Sequence, residues 1–101
     1  MKKLSYNNDM EEITLEFIMN SAVPQSPLGG KQTKIQRGNF LVSIVGGRDG
    51  LYGDFETTFE VAVYDRYGNF VTDKVTPSAK GPVIGWVDKE HLLEMINTIP
   101  C

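Results

Sequence analysis

The chain has 101 residues, of which 41% are hydrophobic, 10% aromatic and 23% charged, with a formal net charge of −3; this fits one small globular domain and argues against intrinsic disorder, since apolar surface is present to offset chain ordering. The only cysteine, Cys101, excludes a disulfide scaffold, and with a single histidine it cannot fill the four positions of a zinc site without carboxylates or a partner chain. No run reaches the ~20 apolar residues of a membrane span, and Lys2 and Lys3 lead into Ser5, Tyr6, Asn7, Asn8 and Asp9 instead of an apolar signal core, so a membrane-free, cytoplasmic protein without cofactor is expected.

The first segment carries two periodicities. Ile13, Leu15, Phe17 and Met19 alternate as in a strand, whereas Met10, Ile13, Phe17 and Ile18 share a helical face. Asp9 as an N-cap, Glu12 three residues later and Pro24 as a stop favour a helix from Met10 to Ala22. Residues 23–38 hold two prolines and three glycines among Gln, Ser, Lys and Thr, and read as a long loop. Asn39 to Val45 reads as a strand apolar on both faces. A turn-rich connection, Gly46 to Gly53, comes next. Phe55 to Tyr64 alternates most clearly, with Phe55, Thr57, Phe59, Val61 and Val63 directed inward.

Asp65-Arg66-Tyr67-Gly68-Asn69 has the composition of a tight hairpin with Gly68 left-handed, leading into a short strand at Asn69 to Thr72. Val75 to Pro82 reads as loop. Val83 to Val87 supplies a further short strand, and Asp88 caps an amphipathic helix over Lys89 to Thr98 that Pro100 ends. The expected architecture is α+β: one domain over residues 1–101, with a three- or four-stranded, mainly antiparallel sheet and an N-terminal and a C-terminal helix packed on it.

Charge is segregated along the chain. Residues 1–16 total −2, residues 17–48 total +4 and the remainder −5. Lys31, Lys34, Arg37 and Arg48 form the basic group; Asp54, Glu56 and Glu60 fall on one face of the strand expected at Phe55 to Tyr64. Together they are the candidate partner-binding residues. A softer alternative is a phosphorylated small ligand held by Gly29, Gly30, Lys31, Gly46, Gly47 and Arg48, with Tyr52 or Tyr67 stacking on a base. The run Pro27-Leu28-Gly29-Gly30-Lys31-Gln32 is not a phosphate-binding loop of the nucleotide-hydrolysing kind, because Gln25 and Gln32 stand where that pattern needs Gly and Ser or Thr. Duplex nucleic acid is disfavoured by a pI near 5.0. His91 has no nucleophile or carboxylate fixed beside it by sequence, so no catalytic constellation arises and a non-enzymatic protein is expected. Core packing is the plainer expectation for Met10, Phe17, Met19 and Trp86.

The stretch Phe59-Glu60-Val61-Ala62-Val63-Tyr64-Asp65-Arg66-Tyr67-Gly68-Asn69-Phe70-Val71, followed by Gly85-Trp86-Val87-Asp88 and a short helix, resembles small accessory proteins encoded by tailed bacteriophages. That resemblance implies a protein that binds a host factor or inhibits a defence component in the host cytoplasm. It carries no functional residue with it. The alternatives are nucleotide sequestration and a structural part of a larger assembly, with a second copy of the chain as a candidate partner.

Overall fold

Alternating side chains on adjacent antiparallel strands build the sheet, and helices close one side of it. In the computed structural model, which describes residues 12–24, 29–47, 52–76 and 81–99, the elements are α1 (Leu15–Asn20), β1 (Val23–Pro24), β2 (Lys31–Arg37), β3 (Phe40–Gly46), β4 (Thr58–Tyr64), α2 (Thr72–Val75), β5 (Ile84–Asp88) and α3 (Lys89–Thr98). The sheet is an antiparallel meander in the order β1-β2-β3-β4-β5, each strand beside its sequence neighbour. The α+β class holds, but the sheet has five strands where three or four were expected.

The extra strands lie in the stretch read as a loop. Residues 31–37 pair with β3 along their whole length, from Lys31 opposite Gly46 to Arg37 opposite Phe40. Their inner positions are Thr33, Ile35 and Arg37, all buried. Only Ile35 is apolar, so the hydrophobic pattern of a strand is muted although the pairing is complete. Thr33 is accommodated in the core because its hydroxyl donates to Ile18 O at 2.7 Å, which satisfies a buried polar group and ties α1 to the sheet.

The first helix is real but short. It begins at Leu15, with Thr14 as N-cap accepting from Phe17 N at 3.1 Å. Glu12 therefore lies ahead of the helix, and Asp9, the expected cap, lies outside the described residues. By contrast α3 matches its expected bounds. Asp88 Oδ1 accepts from His91 N at 2.8 Å, and Leu92, Met95 and Ile96 form its buried stripe. Asn97 on the same helix reaches across the chain: it accepts from Ile13 N at 2.8 Å and donates to Ile13 O at 3.0 Å.

The core lies between the inner sheet face and helices α1 and α3. Val42, Ile44, Phe59, Val61, Val63 and Val87 meet Ile18, Leu92, Met95, Ile96 and Ile99 there. Burial of such side chains stabilises by roughly 1.5–3 kcal/mol each. At residues 55–57 the expected strand gives way to a turn, and β4 starts only at Thr58. Phe55 has a left-handed φ of 59° and still enters the core, its ring edge-on to Phe59 at 5.3 Å. Gly53 permits this turn to fold back, since a Cβ there would stand 2.7 Å from Phe59 Cα and 2.8 Å from Thr58 O.

The hairpin after β4 forms as expected. Gly68 is left-handed at φ 85°, and Asp65 Oδ1 accepts from Tyr67 N and Asn69 N, each at 2.9 Å. The strand expected at Asn69 to Thr72 is reduced to a single bridge, which pairs Phe70 with Tyr64 before α2 begins. Thr72 then joins three pieces of chain. Its hydroxyl accepts from Val63 N at 2.8 Å and donates to Pro82 O at 2.7 Å.

Candidate functional site

Strand alternation leaves the second sheet face without a helix over it among the described residues. Register places Gln32, Lys34 and Gln36 of β2 beside Val45, Ser43 and Leu41 of β3, and these beside Glu60, Ala62 and Tyr64 of β4. A groove of about 550 Å³ crosses this face, lined by Gln32, Lys34, Gln36, Asn39, Leu41, Ser43, Tyr64, Asp65, Arg66 and Gly68. An adjoining hollow of about 270 Å³ shares Gln32, Ser43 and Tyr64 with it and continues to Glu60, Phe70 and Val83. The floor is rich in side chains that both donate and accept hydrogen bonds. Gln32 Nε2 donates to Ser43 Oγ at 3.0 Å, which orients two of them. The rings of Tyr64 and Phe70 lie against each other, with centroids 4.7 Å apart and planes inclined at 37°.

Two signs of charge share this face. Lys34 and Arg66 border the larger groove, and Glu60 borders the hollow. Asp65 also lines the groove, but its carboxyl is committed to the hairpin. Hydrogen bonds from the Asn69 and Tyr67 amides hold it below the usual carboxylate range.

The remaining sequence candidates separate. Arg37 faces the helix-covered side and is only 7% exposed, so it is withdrawn from the outer face; Lys31 is exposed at the first position of β2. Arg48 lies outside the described residues. Asp54 and Glu56 precede β4, so the acidic row expected with Glu60 on one strand does not exist. Asp54 organises the turn instead. Its Oδ1 accepts from the amides of Glu56, Thr57 and Thr58 at 2.8, 2.8 and 3.0 Å, and its Oδ2 from Thr57 Oγ1 at 2.9 Å. Those bonds, that from Thr58 foremost, push its acidity well beyond the usual carboxylate range.

The glycines proposed to cradle a phosphate do meet. A Cβ built on Gly47 would lie 3.5 Å from Gly30 Cα, and Lys31 pairs with Gly46. However, a Cβ on Gly46 would stand 2.7 Å from Phe55 N, and the Gly47 amide donates to Gly53 O at 3.0 Å. These backbones are occupied by the fold. Tyr52 adjoins Gly53, and its carbonyl accepts from Trp86 N at 2.7 Å.

Sequence reasoning missed the exposed aromatics. Phe17 is 50% and Trp86 65% exposed, which overturns the core expectation for both; Met19 does pack against the core, and Met10 lies outside the described residues. Trp86 stands in a bulge, where Phe59 opposes Val87 and Val61 opposes Ile84, so Gly85 and Trp86 together face Glu60. Its φ is 56°, a conformation that costs a bulky residue about 1–3 kcal/mol and is retained where surroundings over-determine it. The only local sign was Gly85 beside a tryptophan within a short apolar strand.

Among the described residues no group of three or more His, Cys, Asp or Glu side chains could hold a metal ion, and no helix is long and apolar enough to cross a membrane. No protein-family model, no curated protein and no solved structure matches the chain.

Proposed function

We propose that the chain is a non-enzymatic binding module of the phage-accessory type, which captures a protein partner on the outer face of its sheet. The observation that carries this reading is the two-sidedness of the sheet. One face is filled by a core of aliphatic and aromatic side chains, while the other bears a groove of about 550 Å³ with Lys34 and Arg66 at its border. Fixed polar side chains on strands supply a rigid, hydrogen-bonding floor, which favours recognition without chemistry. The resemblance of residues 59–71 and 85–88 to phage accessory proteins supports a host factor or defence component as the partner.

The test is quantitative capture from host lysate with the wild-type protein and the double variant Lys34→Glu/Arg66→Glu. Both side chains are on exposed residues, so the fold should persist, as circular dichroism can establish. A partner retained by the wild type and lost by the variant is expected. Identical sets of retained proteins would rule out this face as the binding surface.

A further inference from the structure

We infer that Tyr52, Glu60 and Trp86 form a receptor for a cationic side chain, arginine or lysine, presented by a protein partner; this rests on the binding-module reading and names the chemistry of one contact within it. Tyr52 and Trp86 are 53% and 65% exposed, with ring centroids 6.2 Å apart and planes inclined at 49°. Large exposed aromatics held close together are the residue types that dominate binding energy when a partner covers them. The pair is fixed in place. Trp86 N donates to Tyr52 O at 2.7 Å, Tyr52 N donates to Glu60 Oε1 at 3.0 Å, and a Cβ at Gly85 would come within 2.5 Å of Tyr52 Cβ.

Charge selects the occupant. Glu60 lies opposite the bulge that carries Trp86, and Asp88 is on the same strand, paired with Thr58. Aromatic faces carry negative potential and attract a guanidinium or ammonium, the more so beside a carboxylate. A carboxylate can accept several donors through its two oxygens, so the one bond it accepts among the described residues, from Tyr52 N, leaves capacity for an incoming cation. The same carboxylate disfavours a phosphate, which sets nucleotides and oligonucleotides behind a basic protein segment.

Trp86 is the only tryptophan of the chain, so its emission reports on this site alone. The experiment titrates the full chain with the peptide acetyl-(Gly-Arg)3-amide, with its (Gly-Glu)3 counterpart and with hexathymidylate. A saturable change in emission is expected for the arginine peptide only. Glu60→Gln retains an acceptor for Tyr52 N while removing the charge, and is expected to weaken binding about five- to thirtyfold, as is Tyr52→Ala. No saturable change at millimolar arginine peptide, an equal response to either control ligand, or unchanged binding in Glu60→Gln would overturn the assignment. Should the peptide fail while lysate capture still depends on Lys34 and Arg66, the receptor falls and the binding module stands. Should the peptide bind while capture is indifferent to those two residues, the receptor stands and the groove does not.

Discussion

Replacing Thr72 by valine removes one hydroxyl from the interior and keeps the shape of the side chain. Thr72 and Val63 are both fully buried, and the hydroxyl is the acceptor for Val63 N at 2.8 Å. Deprived of it, that amide has no water to turn to, at a cost of about 1–3 kcal/mol. The same hydroxyl donates to Pro82 O, on an exposed residue whose carbonyl can be rehydrated, so this loss is nearer about 0.5–1.5 kcal/mol. The expected total is about 2–4 kcal/mol, a large fraction of the stability of a small domain. Equilibrium urea unfolding should show the midpoint falling by about 1–2 M with the slope unchanged. Thr72→Ser keeps the hydroxyl and loses one methyl group, worth about 1 kcal/mol. If valine matches the wild type, or serine falls as far as valine, the bridging hydroxyl is not what holds β4 to the segment entering β5.

Gly53→Ala should destabilise the fold by more than 1 kcal/mol, on the order of the cost of overpacking, because the atoms its Cβ would meet are the backbone of Thr58 and Phe59; thermal unfolding at the wild-type midpoint would refute that close approach. Asp54→Ala should lower the urea midpoint at neutral pH, and the gap to the wild type should narrow on acidification. The native carboxyl has a depressed pKa, so its contribution is fully present above the unfolded value of 3.8 and is lost as pH falls toward the native one. Unfolding curves at pH 7 and pH 2.5 decide the matter, since a gap equal or wider at the lower pH contradicts the turn-capping role.

Where several local signals agreed, the sequence was readable. The helix α3 had an acidic cap, a regular apolar stripe and a helix-forming run, and it folds as expected from Lys89 to Thr98. The Asp65–Asn69 hairpin likewise carried its own glycine and its own carboxylate. Strand β2 was hidden because its inner positions are Thr33, Ile35 and Arg37, and its stability comes from pairing with β3, which no local window contains. At Asp54 the opposite error arose. Phe55, Thr57 and Phe59 alternate as a strand would, yet the carboxylate captures three successive amides and turns the chain. The groove has no local sequence signature for a related reason. Lys34, Ser43 and Tyr64 become neighbours only through the registers of β2, β3 and β4, and the two-residue bulge that lifts Trp86 outward is a property of the β4–β5 pairing.

The bond pair between Asn97 and Ile13 spans 84 positions of sequence, whereas every strand of the meander pairs with its immediate successor. Kinetically, these are two different kinds of closure. Hairpins between consecutive strands cost little loop entropy and can zip in succession, but a contact between the two ends of the chain bears the cost of closing everything between them unless the sheet is already formed. The Asn97 amide is therefore a clasp fastened after the sheet. It can open without unzipping a single strand, so that Ile13 is released while the outer face of the sheet stays intact.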